Sequence, residues 1–408
     1  MLRIELKPLL HKNEFNTLTE LGSSAARAGT HLWLVGGGVR DLILGNPIKD
    51  FDLTSDASSK HLGELFANEH NGYIKSHSQF NTTKLTINNI VFDLATTRKE
   101  IYRTRAALPQ TFPSNIEDDL RRRDFSVNAL AVSLHPNDLG IILDVTNGYE
   151  DLNHRLIRAL HPKSFQDDPT RIFRAIRYST RLQFNIEEQT LKMINNDSKL
   201  IGQLSPARLR REVELIINEE NALKMILRLA HFNILSEIHP LLKLTNIVDP
   251  LLQSVHRGIR GNILLGVIGS ILPKNEMIQF KNKLNVTKRQ AKLLDDVANL
   301  KEVEPYFENP VGAHQLDTML TSIHTDAIRA IAGSTSNHIV AKNLDRYLYG
   351  HLQALPLTGK ELMSLGIKSG PVMGLMQREL RYAMIDRLVL SRHDAVLFVL
   401  KKLEETQN

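Results

Sequence analysis

Residues 34–54 read LVGGGVRDLILGNPIKDFDLT, and the fold of the N-terminal portion of the chain turns on them. A short apolar run ends in three glycines, Gly36, Gly37 and Gly38. Arg40 and Asp41 follow in a helical stretch that Gly45, Asn46 and Pro47 break. Asp50 and Asp52 then stand one residue apart where polar and apolar residues alternate. The pattern predicts strand, glycine turn, helix and strand, in that order. A glycine turn between strand and helix leaves backbone N–H groups open and lets phosphate oxygens come close. Arg40, one turn into the helix, reaches toward the same anion. Side chains alternate along a strand, so Asp50 and Asp52 share a face. Paired carboxylates repel unless a cation joins them, and phosphoryl and nucleotidyl transfer use such pairs to hold Mg2+. A bare D-x-D also fits a solvated strand; the glycine turn upstream is what favours the metal.

Working outward, 15–28 has helical spacing, Gly29 ends it, and 31–35 reads as a short buried strand. Residues 59–68 are helical. The runs 83–87 and 90–95 flank Asn88-Asn89 and predict a hairpin. Asp93 on its second strand is either a third carboxylate, serving as general base or metal aid, or a structural acid. Residues 96–115 are rich in Arg, Thr and Pro without a steady period, and read as a long mobile loop. The stretch 116–133 opens with Glu117, Asp118 and Asp119, turns basic at Arg121, Arg122 and Arg123, and ends apolar. That reads as one helix with its anionic end at the N-terminus. A last strand is expected at 139–143. From residue 153 strand signals fade, and 169–182, 186–195, 207–218, 221–232 and later segments are helical. The pattern is an α/β head of about 150 residues followed by an all-helical remainder.

The length of 408 residues exceeds one ordinary domain. A net charge of +6 suits a polyanionic partner without demanding one. The absence of cysteine excludes disulfides, thiolate metal sites and a Cys nucleophile. The first residues lack the apolar core of a signal peptide, and the longest apolar run, 263–272, is too short for a bilayer. A cytoplasmic protein is expected. His393-Asp394 is the core dipeptide of metal phosphohydrolase domains, but no second histidine cluster accompanies it, and it reads as a surface pair.

The stretch GGGVRDLILGNPIKDFDL resembles the signature of the nucleotidyltransferase superfamily that includes DNA polymerase beta. More closely it resembles the second-class bacterial tRNA nucleotidyltransferase (CCA-adding) and poly(A) polymerase family. Four further blocks agree in order: RRDFSVNA at 122–129, DVTNGYEDL at 144–152, DDPTR at 167–171 with Arg174 and Arg177 behind it, and GKELMSLGIKSGPVMG at 359–374. The resemblance implies an α+β architecture: a head at 1–150 with a small mixed β-sheet, a helical neck at 151–220 that recognises the base, and a helical body and tail at 221–408 that bind tRNA. It implies that Asp50 and Asp52 are the catalytic carboxylates and bind Mg2+, and that Gly37, Arg40 and Arg123 contact the nucleotide. Template-independent addition of C and A to the 3′ acceptor end of tRNA, from CTP and ATP with release of pyrophosphate, is the implied activity. No membrane and no obligate protein partner are implied.

Base choice has a residue-level rationale. Asp168 and Arg171 lie three apart at the start of a helix and so share a face. A carboxylate accepts hydrogen bonds and a guanidinium donates them. Cytosine and adenine both present an exocyclic amino donor beside a ring-nitrogen acceptor; guanine and uracil present a carbonyl and a ring N–H. One Asp/Arg pair therefore admits C and A without a nucleic-acid template. The first acid of the block, Asp167, is often Glu in relatives. Arg171, Arg174, Arg177 and Arg181 recur every three or four residues, a basic stripe suited to the nucleotide at its start and to RNA phosphates further on. Arg208, Arg210 and Arg211 form a second basic cluster. An A-adding or CC-adding partial enzyme and a poly(A) polymerase remain as rivals; the loop at 96–115, which in the family helps the change from C to A, argues against CC addition alone. Intact Asp50 and Asp52 argue against a non-catalytic RNA-binding protein.

Overall fold

The computed structural model describes residues 2–77 and 82–407. It separates into two compact units, Met1–Leu204 and Ser205–Asn408. The first is built on a seven-stranded mixed sheet with helices; the second is helical.

In the first unit α1 (Lys12–Arg27) leads into β1 (Leu32–Val35), α2 (Gly37–Ile43) and β2 (Phe51–Ser55). Helix α3 (Ser59–Glu69) and strands β3 (Tyr73–His77), β4 (Thr82–Ile87) and β5 (Ile90–Thr96) follow. The β4–β5 hairpin turns at Asn88 and Asn89, with φ of 50° and 63°. Asparagine tolerates that left-handed pair, as a two-residue hairpin loop requires. The strand order is β3-β4-β5-β2-β1, extended by β8 (Leu130–Ser133) and β9 (Ile142–Asp144). Strands β2 and β5 run parallel, and the other neighbours are antiparallel. Trp33 and Val35 of β1 face an apolar cluster with Leu120, Ala129, Ala131 and Leu143. At the end of the sheet away from the glycine turn, His31 stacks between Trp33 and His135, with ring centroids 5.5 and 5.0 Å away.

Three sequence expectations are corrected here. Residues 96–115 are not a structureless loop: β6 (Arg98–Ile101) and β7 (Gln110–Pro113) pair as an antiparallel ribbon. Its inward side chain, Glu100, is buried against Arg122 and Arg98, an anchor invisible to periodicity. Residues 116–133 are not one helix. Helix α4 (Ile116–Arg121) stops early, Phe125 is extended, Ser126–Asn128 forms a single 3-10 turn, and the apolar end is the buried strand β8. A four-residue apolar run has no period that separates helix from strand, and pairing with β1 decides it. The expected strand at 139–143 begins later, at Ile142, and β3 carried no strand signal.

The DVTNGYEDL block is a clamp. Asp144 accepts hydrogen bonds from the backbone N–H groups of Thr146, Gly148 and Tyr149 at 2.9–3.1 Å, at the start of α5 (Gly148–Asn153). Buried Asp151 accepts from Ser126 Oγ at 2.5 Å and from Arg158. A Cβ on Gly148 would lie 2.1 Å from the Ser126 carbonyl oxygen. The unit closes with α6 (Ser164–Asp167), α7 (Thr170–Leu182) and α8 (Glu188–Asp197), and Leu156–Ile157 pairs in parallel with Asn185–Ile186.

The second unit has twelve α-helices among the described residues. Its C-terminal section has its own apolar cluster around Leu357, Leu362, Ile367, Leu380 and Val399. The GKELMSLGIKSGPVMG block lies there, and Thr358 and Glu361 close a reciprocal cap on the helix Gly359–Ser364. Asp394 accepts from the N–H groups of Leu390 and Ser391, so the His393-Asp394 dipeptide sits at the start of the final helix. No helix among the described residues is long and apolar enough to cross a membrane.

Gly148→Ala drives a methyl into backbone that cannot yield without moving the Ser126–Asn128 turn. It is expected to destabilise the first unit by about 2–4 kcal/mol, read as a lowered midpoint in urea denaturation.

Candidate active site

The glycine turn sits at the end of β1, where Gly36 (φ 72°, ψ −136°) adopts a backbone that only glycine holds without strain. A side chain there would also collide with Arg123, whose Nη1 is 2.7 Å from the Cβ position. The Asp50 backbone carbonyl oxygen lies 3.3 Å from the corresponding point on Gly38. The three glycines thus let two other segments pass close to the turn.

Asp52 lies on β2 directly beside Asp93 of the parallel strand β5, and Asp93 faces Lys84 across the antiparallel pair with β4. Lys84 Nζ is 3.3 Å from Asp93 Oδ2. Paired residues share a face, so Asp52, Asp93 and Lys84 stand in a row across three strands. Asp50 precedes β2 and is exposed. Burial pushes the Asp52 carboxyl up to about 6; Asp93 and Asp50 add to the rise, and Arg123 and Lys84 oppose it. Asp52 is therefore an acid short of positive charge.

Among the described residues no group of three or more His, Asp or Glu side chains forms a metal cage. Mg2+ does not require one, because it commonly uses one or two carboxylates and completes its shell with water and substrate phosphates. An electron-rich pair such as Asp50 and Asp52, one exposed and one costly to ionise, fits such an ion.

The arginines are held from behind. Arg40 is buried, clasped by Asp41 at 2.8 and 2.9 Å, and donates from Nη1 to Asn128 Oδ1 at 2.7 Å. Arg123 donates to Asp119 at 3.0 Å, and its Nε is buried with no hydrogen-bond partner. Asp119 also binds Arg122, at 2.8 Å. Burial alone would raise the Asp119 carboxyl, but Arg123 and Arg122 outweigh it and hold it below the usual range. Asp124 is treated the same way: against burial, Arg174 and Asn128 keep it low. Arg174 Nη2 is 2.6 Å from Asp124 Oδ2, and Asn128 donates to Asp124 Oδ1 at 3.1 Å. Asn128 therefore joins Arg40 on α2 to Asp124 and, through it, to Arg174 on α7.

The start of α7 is tied to the same region. Arg171 is buried; Nη1 donates to Ser164 Oγ and Nη2 to the Arg122 carbonyl oxygen, both at 2.8 Å. Asp168 Oδ1 accepts from the Thr170 N–H and hydroxyl at 2.9 and 2.6 Å. Tyr102, at the end of β6, donates to Glu100 at 2.9 Å. Its phenol is raised by burial and by Glu100, with Arg171 lowering it and Asp168 raising it. Burial and then Arg171 lower the imidazole of His161, against the pull of Asp167 3.8 Å away. Three arginines of the basic stripe and Arg40 of α2 converge on one ring: the guanidinium carbons of Arg40, Arg174, Arg177 and Arg181 lie 5.1–5.5 Å from the centroid of Tyr178.

All nine of Asp50, Asp52, Gly37, Arg40, Arg123, Asp168, Arg171, Arg174 and Arg177 lie in the first unit. Direct bonds join the 120s block to the 170s block at Asp124–Arg174 and Arg122–Arg171. Tyr178 escaped the sequence reading, which gave Asp119 only as a helix-terminal acid and Asn128 only as a member of its block. For Tyr178 the signal was present, four residues after Arg174 on the same helix face.

A mixed sheet carrying acids on adjacent strands, beside a glycine turn and a set of arginines, is the architecture of a nucleotidyltransferase head. Comparison with known proteins agrees. Residues 32–158 match the Poly A polymerase head domain, and residues 183–244 match the probable RNA and SrmB-binding site of polymerase A. The A-adding tRNA nucleotidyltransferase of Halalkalibacterium halodurans is 30% identical over 377 residues, covering 89% of this chain and 86% of that one. The A-adding tRNA nucleotidyltransferase of Geobacter sulfurreducens is 32% identical over 379 residues; 87% of this chain is matched, and it spans only 43% of that relative's length. A solved CCA-adding enzyme in complex with CTP superposes with a TM-score of 0.75 at 25% identity, over 98% of this chain and 97% of that one. The chain belongs to the tRNA nucleotidyltransferase and poly(A) polymerase family.

Asp52 gives a test that needs no substrate. Its folded-state value near 6 exceeds the ordinary 3.8, so the folded protein holds this proton more tightly than the unfolded chain. The stabilisation from that proton is complete below pH 4 and is lost as pH rises through 6. Asp52→Asn removes the effect. Relative to wild type it should gain about 2–3 kcal/mol between pH 4 and pH 8. Thermal melts of both proteins in chelator across that range should diverge with rising pH; parallel curves would contradict the assignment.

Proposed function

We propose that the protein adds C and A nucleotides to the 3′ end of tRNA from CTP and ATP, without a template and with release of pyrophosphate. The observation that carries this reading is Asp52, a partly desolvated carboxylate beside Asp93, next to a glycine turn and Arg123. Asp50 and Asp52 would hold Mg2+, which when bound supplies positive charge to the attacking and leaving oxygens of an in-line displacement. Gly37 and its neighbours leave the backbone open to phosphate oxygens. Arg40, Arg123, Arg174 and Arg177 supply cationic character that a triphosphate needs. The tethers of the first three to Asp41, Asp119 and Asp124 would fix them before the nucleotide arrives, which lowers the reorganisation required for reaction.

Base choice is assigned to Asp168 and Arg171. Ser164 and the Arg122 carbonyl oxygen occupy one N–H on each Nη of Arg171. Guanidinium carries five N–H groups, so these two bonds do not exhaust its donors. A cytoplasmic setting follows from tRNA as the substrate.

A second reading is addition of A alone. It is favoured by the A-adding names of relatives at 30 and 32% identity, while a CCA-adding name belongs to the solved structure that superposes over nearly the whole chain. Purified protein incubated with tRNAs ending before the CCA, after C and after CC, with each labelled nucleotide, separates the two. CCA addition extends all three to the full terminus, whereas A addition extends only the last. Asp52→Asn is expected to lower incorporation about 100- to 1,000-fold, on the order seen when a transition-state charge stabiliser is lost, while tRNA binding in a filter assay stays within about twofold. Reversing the donor and acceptor sense at positions 168 and 171 is expected to admit UTP or GTP, and unchanged nucleotide choice would refute the protein-template reading.

A further inference from the structure

The β6–β7 ribbon has two unlike faces. Arg98 and Glu100 point inward, and Glu100 is bonded to Arg122 and Tyr102. Lys99 and Ile101 point outward, with Phe112 and Gln110 as their cross-strand partners. On this outer face Phe112 is 41% exposed and Ile101 47%, and Leu108 in the connecting turn is 67% exposed. A two-stranded ribbon on the surface would ordinarily turn polar residues outward. Charge is equally one-sided. Between Arg98 and Asn115 there are four cations, Arg98, Lys99, Arg103 and Arg105, against Glu100 alone, a net +3. Lys99, Arg103 and Arg105 are all exposed. An exposed aromatic directly opposite a lysine, with a second cation close by in the chain, is what stacked bases and a phosphate backbone require.

We propose that the outer face of the β6–β7 ribbon is a docking surface for the unpaired 3′ end of the RNA substrate, with Phe112 as a stacking platform and Lys99 and Arg103 on the phosphates. The proposal rests on the reading of the chain as a tRNA-extending enzyme. The net charge favours RNA over a second copy of this chain, which has the same sign. Position favours it too. The ribbon follows β5, which carries Asp93, and its root is fixed through Glu100, Arg122 and Asp119 to Arg123 beside the glycine turn. The hydrogen bond from the Ala106 N–H to the Gln166 carbonyl oxygen, 3.1 Å, holds the turn against α6. The strand would thus lie along a fixed rail leading to the catalytic carboxylates.

The test uses the full chain and a tRNA ending before its CCA, with affinity measured directly in the absence of nucleotide and KM and kcat measured separately. Phe112→Ala should weaken RNA affinity and raise KM for tRNA about tenfold, the loss of one stacked base, leaving KM for ATP within about twofold; Phe112→Trp should restore both. Lys99→Ala should lower the slope of log affinity against log salt by about one. Unchanged RNA affinity in Phe112→Ala overturns the proposal. So does a shift in sedimentation without any change in RNA binding, which would make the face a protein contact. If wild type extends no RNA, the functional reading fails; the binding arm still decides whether the ribbon holds RNA.

Discussion

Two buried carboxylates, Asp119 and Asp124, set where the arginines of the site can be. Each pays for its burial with guanidinium partners, Asp119 with Arg122 and Arg123, Asp124 with Arg174. Removing either acid would leave cations repelling one another at close range, and removing an arginine would strand a charge in the interior. The arrangement is thus mutually enforced. It stiffens long side chains that would otherwise sample many rotamers, and a polyanion meeting them finds positive charge already in place.

The glycines solve a related packing problem. Acids and arginines can share so small a space only where the backbone brings no side chains of its own. Arg123 crosses over Gly36, and the chain leading into β2 passes Gly38. The DVTNGYEDL block repeats this device a layer further out, where Gly148 lets α5 press on the turn carrying Asn128. The glycines of both sequence blocks therefore serve close approach of backbone.

Much of the head was legible because its signals are local. The alternation around Asp50 and Asp52, the Asn-Asn turn at 88–89 and the helix at 59–68 need no knowledge of the rest of the chain. What stayed hidden depends on contacts between distant segments. Strand β8 looked like the end of a helix because only β1 and β9 make it a strand. The ribbon at 98–113 looked unstructured because its anchor, Glu100 to Arg122, joins residues 22 positions apart. The basic stripe on α7 was legible as a spacing, which did not show that Arg171 and Arg177 are buried or that Arg174, Arg177 and Arg181 gather around Tyr178. Motif order identified which residues matter; tertiary pairing decided how they are held.

The ring stack at the far end of the sheet has a practical consequence. Trp33 is the only tryptophan in the chain, and it lies in the first unit with His31 against its face. Intrinsic emission excited at the indole band therefore reports on the nucleotidyltransferase head alone, while far-ultraviolet dichroism is dominated by the helices of both units. Melting the protein under both probes would show whether the two units lose structure together or in sequence.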